Sequence, residues 1–214
     1  MTRKVFGIGL NKTGTSTLGE CLVTLGYRHR SYSYALVQQL QRGERQAVLS
    51  SYRSWESFED WPTPWLFRDL DRHYPGSLFI LTRRKSVETW LNSIREHALR
   101  TAWREGAIVR NAFYGSPYPQ LAPGLYQQVY EEHIAQVRVH FKDRPQQLLE
   151  LCWEDGDGWD RLCGYLDREP PQMPLPHANA GEAQQAMKQR LLNGLAWRWM
   201  AQRERLGIDS KRGH

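Results

Sequence analysis

The residues near the amino terminus that could do chemistry form a loop rich in glycine and hydroxyl groups. The segment FGIGLNKTGTSTLGECL, at 6–22, reads as an apolar strand that turns into a helix. Gly9 and Gly14 give the G-x-x-x-x-G frame of a phosphate-binding loop, but Thr15 stands where such loops carry lysine. The only lysine of the loop, Lys12, comes two residues before the second glycine. Amides at a helix N-terminus bind phosphate well, so the loop predicts an anion site with a displaced cation.

A second cationic turn follows the apolar segment SLFILT at 77–82, which ends in Arg83, Arg84 and Lys85. In nucleotide hydrolases, a lysine after the second glycine contacts the phosphates, and an aspartate after a neighbouring strand helps to hold magnesium. This sequence has arginine in place of that aspartate and threonine in place of that lysine. These residues argue against a magnesium-dependent triphosphate site and favour a magnesium-free phosphoanhydride held by side-chain cations.

The elements predicted around these turns alternate between strand and helix. Residues 5–10, 77–82 and 147–153 are predicted strands, and 125–141 and 182–205 are predicted helices, as are the segments that follow the first two strands. This alternation predicts an α/β fold with a mostly parallel central sheet flanked by helices. Ligands of such folds lie beyond the carboxyl ends of the strands, where both cationic turns fall. Two cationic turns at one edge of the sheet predict a ligand with two anionic ends.

Composition narrows the class of protein without choosing the function. Of 214 residues, 40% are hydrophobic and 24% are charged, which is typical of a soluble globular protein. The net charge of +6 favours an anionic partner. No basic–aromatic motif supports nucleic acid as that partner, and no apolar segment approaches the roughly 20 residues of a transmembrane helix. The 3 cysteines lack a C-x-x-C pair, so we expect reduced thiols, a cytoplasmic location and no metal site.

Four segments, in order along the chain, resemble sulfotransferases that use 3′-phosphoadenosine 5′-phosphosulfate (PAPS). They are KTGTSTL, EDWP, YPGSLFILTRRKSVETWLNSI and the stretch at 129–180. The resemblance, to a bacterial-type branch, implies a P-loop-like three-layer α/β sandwich. It also implies metal-independent transfer of a sulfuryl group to a hydroxyl, or less readily an amine, with 3′-phosphoadenosine 5′-phosphate (PAP) as product. The acceptor would be a small molecule, a lipid or a saccharide.

The resemblance also implies roles for individual residues. Lys12 would contact the bridging oxygen and the transferring sulfuryl group, and Arg84 with Ser93 would hold the 3′-phosphate. The 5′-phosphate would be held by the backbone and hydroxyl donors of Thr13, Gly14, Thr15, Ser16 and Thr17. The family's arginine usually meets its serine eight positions later, whereas Ser93 is nine positions after Arg84 and Asn92 is eight. Arg83 and Asn92 are therefore alternative ligands.

The reaction also needs a base to take the proton of the acceptor. The segment EDWP resembles the acidic motif of this branch, so Asp60 is the first candidate and Glu56 the second. A helix here would place both carboxylates, four positions apart, on one face. The acceptor oxygen would attack sulfur in line while Lys12 and the loop amides stabilise the departing phosphate, without a covalent enzyme intermediate.

The predicted domain organisation is simple. Residues 1–207 are predicted to form one sulfotransferase-like domain, and 208–214 a flexible tail. Residues 97–124 are a candidate acceptor-binding lid, in which 104–124 show no clear helical period. Residues 27–53 are predicted to be surface loop around one short helix. The alternative function is a P-loop nucleotide kinase or hydrolase with a displaced lysine.

Overall fold

The structure, a computed structural model, describes residues 3–176 and 183–206. In this part of the chain five strands form one parallel sheet. The strands are β1 (Val5–Gly7), β2 (His29–Arg30), β3 (Ser57–Phe58), β4 (Leu78–Thr82) and β5 (Leu148–Leu151). Their order across the sheet is β2-β3-β1-β4-β5. The predicted α/β class with a central parallel sheet is confirmed.

The chain divides into two compact units, and the α-helices of the described residues are distributed over both. The helices are α1 (Thr15–Thr24), α2 (Tyr34–Gln41), α3 (Arg45–Ser51), α4 (Phe67–His73), α5 (Val87–Arg100), α6 (Trp103–Tyr114), α7 (Pro123–His140), α8 (Trp159–Leu166) and α9 (Ala183–Arg205). Of these, α5 and α7 contribute to each unit. The first unit comprises Met1–Trp90 and Tyr130–Ala180 and contains the sheet. The second comprises Leu91–Val129 and Gly181–His214. The prediction of one domain over 1–207 stays a prediction, and the predicted tail at 208–214 lies outside the described residues.

The two faces of the sheet pack against different helices because successive strand residues point to opposite sides. Phe6 and Phe79 contribute to one core, which α2, α3, α4 and the end of α7 complete. Val5 and Ile80 contribute to the other core, with α1 and α8. Helices on both faces of a parallel sheet give the predicted three layers. This packing fixes β1 and β4, the strands from which both cationic turns emerge.

Two short strands were not predicted, since their residues carry little strand signal. Residues 29–30 lie in the segment predicted as surface loop, which also contains α2 and α3. Residues 57–58 form β3, so the segment between Glu56 and Asp60 contains a strand. Pairing with neighbours specifies both strands: β3 lies between β1 and β2, and His29 pairs with Ser57.

The second unit is held by buried polar groups as well as by apolar packing. Arg110 is buried, and its guanidinium donates to Pro117 O at 2.6 Å and to Thr101 Oγ1 at 2.8 Å. The side-chain amide of Asn193 on α9 donates to the carbonyls of Leu99 and Thr101 at 3.0 and 2.9 Å. The prediction that 104–124 has no helical period is wrong, since α6 occupies Trp103–Tyr114. An inward-facing arginine interrupts the apolar pattern of that helix.

Candidate active site

The glycine loop between β1 and α1 takes a shape that requires glycine at position 14. Gly14 has a φ of 91°, in the left-handed region that disfavours side chains. A Cβ at Gly14 would lie 2.3 Å from Cδ1 of Trp153, in the turn after β5. The indole Nε1 of Trp153 donates to Gly14 O at 3.2 Å. Trp153 therefore closes over the loop from another part of the sheet edge.

Thr13 braces the same loop against β4. Its hydroxyl is buried, donates to Leu10 O at 2.6 Å, and lies 2.6 Å from the hydroxyl of Thr82 at the end of β4. A Cβ at Gly9 would approach Thr82 Oγ1 to 2.0 Å, so only glycine permits this contact. The predicted phosphate contact of Thr13 stays a prediction. Its hydroxyl is already engaged within the loop, which indicates that Thr13 mainly shapes it.

The start of α1 presents donors that the helix itself does not use. Gly14 caps the helix without a side-chain hydrogen bond, and Leu18 N donates to Gly14 O at 3.1 Å. The amides of Thr15, Ser16 and Thr17 precede this first full helical bond, so they have no partner within the helix. The first turn carries no acidic residue. These donors and the positive end of the helix dipole together favour an anion. The predicted contacts of Gly14, Thr15, Ser16 and Thr17 with the 5′-phosphate stay a prediction.

Lys12 stands at the strained part of the loop. Its φ is 68°, which a residue with a side chain adopts at a cost of order 1–3 kcal/mol. The residue before it is fixed, because Trp90 Nε1 donates to Asn11 O at 2.9 Å. The charge of Lys12 lowers the pKa of Asp60, against larger effects that raise it. The displaced lysine and the first candidate base therefore act on each other electrostatically.

Asp60 follows the carboxyl end of β3. Its φ is 62°, and one carboxylate oxygen accepts a hydrogen bond from Trp61 N at 2.7 Å. Loss of hydration, and then the negative charge of Glu59, raise the pKa of Asp60 to about 7, although Trp61 N–H and Lys12 oppose the rise. A carboxyl group with a pKa close to the working pH is well suited to general base catalysis.

Glu56, the second candidate base, lies at the other end of the same strand. Its carboxylate accepts from Arg28 N at 3.0 Å and lies 3.7 Å from the Arg28 guanidinium. Glu56 and Asp60 do not share the helix face that their spacing allowed, because β3 separates them. The glycine loop lies at the carboxyl edge of the parallel sheet and Glu56 at the amino edge. Its catalytic role stays a prediction that this position does not favour.

The arginine turn after β4 is held by carboxylates of the turn after β5. Arg84 Nη1 lies 3.2 Å from Glu154 Oε1, and Arg83 Nη2 lies 3.3 Å from Asp155 Oδ2. Both arginine side chains are partly exposed, at 30% for Arg83 and 26% for Arg84. Arg84 N also donates to the hydroxyl of Tyr130 at 2.9 Å. The geometry leaves both arginines as candidate phosphate ligands.

One aromatic pair fastens both cationic turns. Trp90 and Tyr130 stack with ring centroids 4.4 Å apart at 21°. Trp90 donates to Asn11 O in the glycine loop, and Tyr130 accepts from the Arg84 amide in the arginine turn. This pair was not predicted from the sequence, in which its signal is two aromatic residues with polar groups on predicted helices beside the site.

The remaining predicted ligands lie on the part of α5 that belongs to the second unit. Asn92 is exposed and its side-chain oxygen accepts from Arg95 Nη1 at 3.3 Å, while Ser93 is half-buried. Their contact with a 3′-phosphate stays a prediction. Among the described residues, no group of histidine, cysteine, aspartate and glutamate side chains could hold a metal ion. No described helix is long and apolar enough to span a bilayer.

Comparison with known proteins identifies the family of this site. The family model described as "Sulfotransferase domain" matches residues 4–184. The chain therefore belongs to this family, whose activity is sulfuryl transfer, and is a transferase. A protein of Aspergillus versicolor, "Ava biosynthesis cluster protein M", is 27% identical over 216 residues, which is 81% of this chain and 80% of that protein. The predicted membership of the sulfotransferase family is confirmed.

Proposed function

We propose that the protein transfers the sulfuryl group of PAPS to a hydroxyl, or less readily an amine, of its acceptor by in-line displacement without a metal. One observation carries the proposal: the glycine loop with Lys12 follows β1, Asp60 follows the neighbouring parallel strand β3, and both therefore lie at the carboxyl edge of the sheet. A cation for the leaving phosphate and a base for the acceptor are the two groups that this reaction needs.

The donor nucleotide would be held at its two anionic ends. The amides of Thr15, Ser16 and Thr17 at the start of α1 take the 5′-phosphate, with the help of the helix dipole. Arg84, or its neighbour Arg83, takes the 3′-phosphate with Ser93 or Asn92. Arg83 lies within ion-pair distance of two carboxylates, Glu150 at 3.8 Å and Asp155 at 3.3 Å, whereas Arg84 pairs with Glu154 alone at 3.2 Å.

The chemical step then needs only side chains already named. The Asp60 carboxylate accepts the proton of the acceptor hydroxyl as its oxygen attacks sulfur. The bond between sulfur and the bridging oxygen breaks, and the electron pair stays on the phosphate of PAP. Lys12 stabilises the negative charge on that oxygen.

The acceptor would be a small molecule, a lipid or a saccharide, and residues 97–124 keep their proposed role as acceptor-binding lid. The proposed location is the cytoplasm.

Thermal unfolding with nucleotides tests this proposal without knowledge of the acceptor. We expect PAP in the presence of EDTA to raise the melting temperature, since a ligand at 100-fold above its Kd adds about 2.7 kcal/mol to the free energy of unfolding. AMP, which differs from PAP only by the missing 3′-phosphate, is the matched control and should stabilise less. Failure of PAP to stabilise the protein would contradict the proposal. Stabilisation by magnesium-ATP alone would favour the nucleotide kinase or hydrolase.

A further inference from the structure

A buried carboxylate stands directly beside the candidate base. Glu59, the residue after β3 and before Asp60, is only 3% exposed. Its Oε1 accepts a hydrogen bond from the hydroxyl of Ser31 and lies 3.7 Å from Nε2 of His29, itself largely buried. Its Oε2 is buried and has no hydrogen-bond partner among the described residues. Burial of a carboxylate without a full set of hydrogen-bond partners costs free energy of folding, so a functional role would explain why Glu59 is here.

The fold leaves space for this acid and its histidine. A Cβ at Gly7 on β1 would lie 2.9 Å from Cβ of Glu59, and one at Gly19 on α1 would lie 2.9 Å from Nε2 of His29. A Cβ at Gly19 would also approach Oε1 of Glu59 to 3.2 Å. Neither glycine has a positive φ. Both positions therefore lack a side chain because the side chains of Glu59 and His29 occupy the space that it would fill.

The histidine is held on its other side as well. Nδ1 of His29 lies 2.8 Å from the hydroxyl of Ser57 on β3. The pair thus links β2 with β3 and lies against Gly19 of α1. The charged and titratable groups that face the two carboxyl groups are His29 from β2 and Lys12 from the loop, whereas α1 contributes the uncharged Gly19.

We propose that Glu59 is a positioning residue for the proposed reaction: its buried carboxylate, fixed by Ser31 and His29 in the space left by Gly7 and Gly19, makes Asp60 a stronger base. Two neighbouring carboxylates disfavour each other's ionised form, so the charge of Glu59 increases the proton affinity of Asp60. The direction agrees with the contribution of Glu59 to the raised pKa of Asp60. Without Glu59, Asp60 would stay ionised at neutral pH but would attract the acceptor proton less.

This inference rests on the proposed function for its purpose, but its test does not need activity. Proteins labelled with ¹³C at the aspartate carboxyl carbon are titrated by NMR, and Asp60→Asn assigns the Asp60 signal. We expect the wild-type midpoint near 7. Glu59→Gln keeps the side-chain shape and removes the charge, so it should lower the midpoint by roughly one pH unit.

Two controls separate a local charge effect from other causes. Asp69→Asn removes one negative charge at a surface ion pair with Arg45 and should leave the Asp60 midpoint unchanged. Glu59→Asp keeps the charge and should keep the midpoint raised. If Glu59→Gln does not fold, Glu59→Leu removes the same charge without a buried amide to satisfy, and the same shift is expected.

The outcomes decide between the two proposals. An equal Asp60 midpoint in the wild type and the charge-removing variants would overturn the role of Glu59, as would an equal shift in Asp69→Asn. A lowered midpoint in a protein that PAP does not stabilise would support the role of Glu59 and count against sulfuryl transfer from PAPS. Once an acceptor is found, the acid limb of the pH–rate profile should move to lower pH by the same shift in Glu59→Gln.

Discussion

The two cationic turns at the sheet edge are built in different ways. The glycine loop offers backbone amides that the fold itself orients, through the contacts of Thr13 with Thr82 and of Trp153 with Gly14. The arginine turn offers side chains whose charges are paired with Glu154 and Asp155. The first turn is therefore set for an anion, whereas the second must exchange or share carboxylate partners when a phosphate arrives. The loop should determine the chemistry, and the turn should adjust affinity.

The largest effect should come from the cation of the loop. We expect Lys12→Ala to lower kcat by about 10²–10³-fold, the usual loss when one group that stabilises transition-state charge is removed. PAP affinity and the melting temperature should change far less. Turnover of radiolabelled PAPS with an acceptor that supports the wild-type enzyme measures this. Lys142→Ala, which removes an exposed lysine after α7, is the matched control. Near-normal turnover in Lys12→Ala would remove Lys12 from the mechanism.

The arginine turn should show a smaller effect, confined to binding. We expect Arg84→Ala to raise the Kd of PAP by about 10- to 100-fold, because hydrogen bonds to a charged group contribute about 1.5–3 kcal/mol. The Kd of AMP, which lacks the 3′-phosphate, should hardly change. Calorimetry with both nucleotides on Arg84→Ala and Arg83→Ala identifies the ligand. Equal losses for PAP and AMP would show that the turn does not bind the 3′-phosphate.

The smallest effect should come from the aromatic pair that fastens both turns. Trp90→Phe keeps a ring against Tyr130 but removes the donor to Asn11 O, so we expect a loss of about 1 kcal/mol in the free energy of unfolding. Urea unfolding measures the loss. Leu192→Ala, on the exposed side of α9, should be close to neutral. An unchanged stability for Trp90→Phe would show that the loop does not depend on this brace.

The parts of the site that could be predicted from the sequence are those whose functional residues lie close together along the chain. The loop from Gly9 to Thr17 and the arginine turn each lie in one short segment between a strand and a helix. Their braces join residues far apart, such as Thr13 with Thr82 and Gly14 with Trp153, which no spacing rule reveals. β3 was not predicted because a strand of 2 residues is too short to show an alternating hydrophobic pattern. For the same reason the burial of Glu59 after it was not predicted. Pairing and burial, rather than local propensity, specify these features.

The indole that closes over Gly14 has a consequence for synthesis of the chain. Trp153 comes 139 positions after its partner. A ribosome makes every residue of the glycine loop long before that side chain emerges. The growing polypeptide therefore carries the whole glycine loop before Trp153 is present to complete its shape. Tight binding of nucleotide should begin only when translation is nearly finished.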